Sequence, residues 1–314
     1  MKVLVTGAAG QLAVLLARRL AARGDQLTGI DARPLPRGQT FPGDFLQARY
    51  TQRRVDEAFR RVRPDVLVHL GRVRTAEVSS FSQRYTQNVL GTRRLLDLAR
   101  RYEVRRVVVL STFHVYGAHQ HNHLHLTEDD PLRASQLFPE LADAVELDHA
   151  ATNFLWRYRR VETVVLRPVN IVGPTLNNFI TRLLRARRCP YFVGYDPMLQ
   201  FVHEDDVARA LELAADAGKF GVFNVAGEGV VSWSHAIRLA GGDPLPVPHV
   251  LAYPLVGALA RLRLGVPKHL MDYFRYPVVV TDARFREEFG YAPARTTVET
   301  LAAVGRSAPP PGQT

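Results

Sequence analysis

The chain has 314 residues, 46% of them hydrophobic and 23% charged, the composition of a globular protein large enough to bury a substantial core. Its lone cysteine, Cys189, excludes an intramolecular disulfide framework, and no apolar run reaches membrane-spanning length, so a cytoplasmic protein is expected. The net charge of +11 raises nucleic acid and anionic membranes as partners. Yet the arginines are dispersed along helices (Arg18, Arg19, Arg60, Arg61, Arg93, Arg94) rather than gathered in one tract, and neither partner is expected.

Lys2–Thr6 is a short β-branched run that reads as a buried strand, and Gly7-Ala8-Ala9-Gly10-Gln11-Leu12 turns straight into a helix. Gly24 stops that helix, Gln26–Ile30 forms a second strand, and Asp31 sits at its tip. Gly7 and Gly10 let the backbone approach a pyrophosphate, whose charge meets free N–H groups at the helix N-terminus. Asp31 stands where a carboxylate accepts hydrogen bonds from an adenosine ribose. A dinucleotide site is expected here. The acid favours NAD, while Arg33 and Arg37 close behind keep NADP open.

Further along, Asp65–Leu70 and Arg106–Ser111 read as strands, separated by a helix from about Gln83 to Tyr102. A helix over roughly Pro139–Tyr158 precedes the strand Thr163–Arg167, and helices near 177–188 and 205–217 flank strands near 199–202 and 221–225. A last strand is expected at Val278–Thr281, and the tail after Ser307 reads as disordered. This alternation predicts an α/β fold: a doubly wound parallel sheet of Rossmann type, with a smaller C-terminal substrate-binding lobe. The cofactor domain is expected over 1–168 with returning segments near 201–226, the lobe over 169–200 and 227–306, and the tail over 307–314.

Several stretches in order resemble the extended short-chain dehydrogenase/reductases, the group that holds nucleotide-sugar epimerases and dehydratases. TGAAGQLA (6–13) is similar to the phosphate turn, Gly43-Asp44-Phe45 to a motif whose acid meets adenine, and DVLVHLG (65–71) to the strand beside the cofactor. NVLGT (88–92), STFHVYG (111–117), LRPVNIVGP (166–174) and FVHEDDVA (201–208) follow at family spacing. The resemblance implies cofactor contacts from Gly7, Gly10, Gln11, Leu12, Asp31, Asp44, Phe45, Leu70, Gly71, Asn88 and Pro168. It also implies a substrate contact from Asn170, and a homodimer through the helices that carry NVLGT and the catalytic pair.

The chain departs from that family where the chemistry should be. The family pattern YxxxKxxxE on the helix before LRP, counted back from Leu166, falls on Val145, His149 and Asn153. Valine cannot shuttle a proton. Thr112 keeps the active-site hydroxyl, and His149 is the candidate for a displaced acid/base or a ribose ligand, since imidazole titrates near neutrality. The histidines at 119, 121, 123 and 125 lack a companion carboxylate motif, and no metal is expected there. An arginine that meets the diphosphate of nucleotide sugars is replaced by Leu199, with Arg275 the cation that could reach the substrate from another direction. The apolar stretch Leu251–Leu264 is expected to pack within the small lobe, with a greasy pocket or a membrane-surface contact as the alternatives. The reading is an NAD-binding epimerase-, dehydratase- or reductase-like protein with an altered acid/base and a small-molecule, even apolar, substrate. A non-catalytic NAD-binding sensor or scaffold is the alternative.

Overall fold

The computed structural model describes residues 1–73, 80–216, 218–248 and 268–305; Leu251–Leu264 and the tail over 307–314 lie outside them. Seven parallel strands form the central sheet: β1 (Lys2–Thr6), β2 (Gln26–Asp31), β3 (Asp44–Gln47), β4 (Val66–His69), β5 (Arg106–Leu110), β6 (Glu162–Pro168) and, from farther on, Gly221–Val225. Their order is Gly221–Val225, β6, β5, β4, β1, β2, β3. The chain therefore runs outward from β1 through β3, then returns to β4 on the other side of β1. That reversal opens a crevice between β1 and β4 beyond the carboxyl ends of the strands, where ligands of such sheets bind.

Strand alternation sorts the core into two layers. Val3, Val5, Val66, Val68, Val108, Val164 and Leu166 face one side, where α1 (Gln11–Ala22) contributes Leu16 and Leu20 and the helix Glu204–Asp216 contributes Val207 and Leu211. Leu4, Leu67, Val107, Val109 and Val165 face the other, against α2 (Arg53–Val62), the helix Gly91–Arg101 and the helix Ala142–Arg157. Every inner strand is thus apolar on both faces, as a covered parallel sheet requires. A third cluster gathers Val172, Leu184, Cys189, Phe201, Trp233, Ile237 and Leu301 around three two-stranded sheets, the nucleus of the smaller lobe.

Two expected elements are built differently. The helix expected over Gln83–Tyr102 is α3 (Phe81–Tyr85), a π-helical turn over Thr86–Leu90, and α4 (Gly91–Arg101). The strand expected at Val278–Thr281 is a single bridge, Leu126 with Val280. The Gln200 side chain supplies what a second strand would: Nε2 donates to Val280 O at 3.0 Å and Oε1 accepts from Val280 N at 2.8 Å. Among the described residues no helix is long and apolar enough to cross a membrane.

Candidate active site

The crevice is shaped first by glycines. Gly7 has φ +72°, and a Cβ there would lie 2.7 Å from the Gly71 nitrogen, so the turns after β1 and β4 meet as bare backbone. A Cβ on Gly71 would overlap the Tyr50 hydroxyl, a crevice residue that no motif announced. Gly10 caps α1 without a side chain, so the N–H groups of Gln11, Leu12 and Ala13 face outward with no intrahelical acceptor. That is a cradle for an anion.

Asp31, only 4% exposed at the end of β2, binds this turn directly. Its Oδ2 accepts from Ala9 N at 3.0 Å and its Oδ1 from Arg33 N at 2.9 Å, and the Arg33 guanidinium stands 3.5 Å away. Gln39 bridges the same loop, accepting from the Gln11 amide at 3.0 Å and donating to Ala9 O at 3.2 Å. The anion cradle and the carboxylate therefore share one edge, as a dinucleotide's pyrophosphate and adenosine ribose require.

Asp44 and Phe45 do not join them. In the parallel register Asp31 pairs with Gln47, while Asp44 pairs with Thr28. Asp44 thus lies three residues from the ligand edge, about 10 Å along the strand. Residues at Gln47 and Ala48 hold the position expected of Asp44 and Phe45, and Ala48 N donates to Asp31 O at 2.8 Å.

His69 closes β4 between two hydroxyls. Thr92 Oγ1 gives its proton to Asn88 O at 2.5 Å, so it accepts from His69 Nε2 at 2.8 Å, and His69 Nδ1 accepts from Thr6 at 2.6 Å. Burial lowers the His69 pKa to about 4, and the ring is neutral. Asn88, on the π turn, spends its amide on backbone: Oδ1 accepts from Val73 N and Nδ2 donates to Val73 O, each at 2.8 Å, with Asp143 at 2.5 Å. It fixes the backbone at Val73, two residues beyond Gly71.

On the far side of β4, the ends of β5 and β6 are tied by a buried ion pair. Arg167 Nε and Nη2 donate to the two Asp148 oxygens at 2.9 and 2.8 Å, and Ser111 donates to the same carboxylate at 2.5 Å. Burial works against the guanidinium's charge, but Asp148 more than offsets it and raises the Arg167 pKa. Arg167 also donates to Tyr116 Oη at 3.0 Å, that hydroxyl donates to Asn224 Oδ1 at 2.7 Å, and burial pushes the phenol up to about 12.

This pair sets the face of the helix Ala142–Arg157. Asp148 is fully buried, Val145 is 1% exposed among core residues, and His149, next to Asp148, points outward and is exposed. The structure therefore does not bring His149 to Thr112 or to the glycine turn, contrary to the expectation for it. Setting the acid of YxxxKxxxE on the buried Asp148 moves the tyrosine and lysine positions to Glu140 and Ala144. In any register the outcome is the same: no tyrosine stands four residues before Lys2, Lys219 or Lys268, the lysines of the chain.

Thr112 follows β5 and caps the 3-10 turn Phe113–Tyr116. Its hydroxyl lies 2.9 Å from Nδ1 of His114, a residue of the STFHVYG stretch to which the sequence assigns no role. Beside it is a cavity of about 30 Å³, the space of one water, lined by Phe113, His114, Asn170, Ile180, Leu199, Leu270, Tyr273, Phe274 and Val278. Asn170 donates to Gln200 O at 3.1 Å. Arg275 sits outside this lining, stacked on Tyr195 and Tyr276 at 4.7 and 5.0 Å and donating to Tyr195 Oη at 3.0 Å. Of the histidine run, His123 pairs with Asp130 at 2.8 Å, and among the described residues no three His, Cys, Asp or Glu side chains converge.

Residues 3–226 match the model of the NAD dependent epimerase/dehydratase family. An uncharacterized protein of Mycobacterium tuberculosis is 32% identical over 310 residues, covering 95% of this chain and 82% of the other. The dTDP-glucose 4,6-dehydratase of Streptomyces griseus is 30% identical over 332 residues, covering 96% and 92%. The fold is that of the Thermus thermophilus UDP-glucose 4-epimerase solved with NAD, at a TM-score of 0.76 and 21% identity over 97% of this chain and 98% of that one.

Proposed function

The chain belongs to the NAD-dependent epimerase/dehydratase family, within the extended short-chain dehydrogenase/reductases, and from that premise we propose how this copy of the fold works. NAD lies across the crevice between β1 and β4. Its pyrophosphate passes over the bare backbone of Gly10 and is held by the free N–H groups of Gln11 and Leu12, and its adenosine ribose by Asp31. Gln47 and Ala48 flank the adenine end, and Leu70, Gly71, Thr112 and Pro168 line the path toward the nicotinamide. When bound, NAD supplies the oxidation and reduction that epimerases, dehydratases and reductases of this type share. The chain's own part is to orient a substrate hydroxyl or carbonyl against Thr112 and to manage its proton without the YxxxK pair.

The observation that carries this reading is the shared edge of the Gly7–Gly10 cradle and the buried Asp31. The sensor or scaffold alternative is not favoured, because the relatives that carry an activity name are enzymes. We assign the substrate to the lobe 169–200 and 227–306, with its reacting end near Asn170 in a small apolar space. Arg275, engaged by Tyr195 and Asp272, is the cation we assign to the substrate, and without an arginine at Leu199 a UDP-sugar should bind weakly. A cytoplasmic homodimer through α4 and the helix Ala142–Arg157 completes the proposal.

Calorimetry tests it. NADH should bind more tightly than NADPH, and Asp31→Ala should weaken NADH by roughly 10-fold or more, the value of a charge-assisted hydrogen bond of about 1.5–3 kcal/mol. Tighter binding of NADPH by the unmodified protein would remove Asp31 from the ribose.

A further inference from the structure

Thr112 leaves β5 in an extended conformation, φ −162° and ψ 147°, and its hydroxyl accepts the His114 N–H at 3.3 Å. With that lone pair engaged, the hydroxyl proton is directed elsewhere, and His114 Nδ1 stands 2.9 Å away. Capping the turn needs only the backbone N–H; the imidazole contact is additional. The ring is also held from two sides. Phe113 packs at 4.2 Å and Tyr273 meets it edge-on at 4.7 Å, while the Tyr273 hydroxyl donates to His114 O at 2.6 Å. Backbone and side chain are both fixed, and the half-buried ring lines the cavity beside Asn170.

We propose that His114, acting through the Thr112 hydroxyl, is the proton acceptor and donor of this active site. The inference rests on the NAD-dependent reading above and assigns the role that the absent tyrosine and lysine leave open. As a substrate alcohol is oxidised, its O–H proton passes to Thr112 Oγ1 and the Thr112 proton passes to His114 Nδ1. The carbon–oxygen single bond becomes a carbonyl, and the carbon's hydrogen leaves with its electron pair to the hydride acceptor that oxidised NAD would supply when bound. The proton ends on an imidazolium, and the reverse step returns it. Imidazole suits the task because its ordinary pKa lies near neutrality. Tyr273 does not: its phenol is committed to a backbone carbonyl, and burial drives its pKa far up. His149 does not either, being exposed on the outer face of its helix.

The test is nuclear magnetic resonance of the full-length protein carrying nitrogen- and carbon-labelled histidine, with the ring signals assigned by loss in His114→Gln and, independently, in His114→Asn. Free protein should show His114 as the Nε2-protonated tautomer with Nδ1 accepting a hydrogen bond, and Thr112→Val should shift that Nδ1 signal. A proton found on Nδ1 overturns the proposal, since Thr112 could then pass nothing to it. NAD⁺ should displace the His114 ring signals, whereas ADP-ribose, which lacks the nicotinamide, should leave them in place. An equal response to both nucleotides, or to neither, with calorimetry showing that both bind, overturns the placement of His114 at the reacting end. Failure of both nucleotides to bind overturns the NAD-dependent reading itself, and this inference with it.

Discussion

The two halves of the ligand edge are built from different materials. From β3 to β4 the site is backbone: N–H groups at the start of α1, a left-handed Gly7, a Gly71 pressed against it, and one carboxylate whose own bonds go to main-chain N–H groups. From β5 to β6 it is side chain: Thr112 with His114, and Asp148 with Arg167 and Ser111. A backbone site depends on conformations that few residues other than glycine adopt, so it has one sequence solution. A side-chain site can be rebuilt residue by residue on the same scaffold. That is why one half reads as the family's and the other does not.

The largest effect should come from breaking the side-chain half at its anchor. Asp148→Ala leaves Arg167 charged and buried without its partner, and removing one member of such a pair costs about 3–5 kcal/mol. Denaturant unfolding should register that loss, and a change within experimental error would mean the pair holds nothing in place.

On the backbone side, His69 offers a pH handle of similar size. Burial lowers its folded pKa to about 4, from the ordinary histidine value of about 6.5. The unfolded chain therefore binds the proton first as pH falls. The contribution is fully present above 6.5 and is lost as pH falls through the folded value, on the order of 3 kcal/mol across that window. Stability measured from pH 7 to pH 4 should fall more steeply in the unmodified protein than in His69→Gln; parallel curves would show that His69 is not the source.

Gly7→Ala probes the backbone cradle itself. A left-handed alanine costs about 1–2 kcal/mol, and its Cβ would also press on Gly71. Thermal melting should show the loss, and NADH affinity should fall with it; full retention of affinity would detach the cofactor from this turn. The smallest effect is reserved for His149→Ala. An exposed side chain far from the crevice should change stability by no more than about 0.5 kcal/mol, and NADH affinity should stay where it was. A lost cofactor would return His149 to the site.

Local pattern was enough for the sheet, the glycine turn and Asp31. Alternating apolar strands can bury only between two helical layers, and a positive φ beside a helix start has few purposes. The absence of a tyrosine–lysine pair is equally a property of the sequence, because no register of the chain supplies one. What the sequence could not decide was register and facing. Asp44 and Gln47 differ only in how β3 slides against β2, and that pairing is set by the core rather than by the motif. Val145, Asp148 and His149 are neighbours on one helix, and which of them turns inward depends on Arg167 arriving from β6. The nearness of Thr112 to His114, and the stacking of Tyr273 from 159 residues away that fixes that ring, likewise exist only once the lobe has closed over the end of β5.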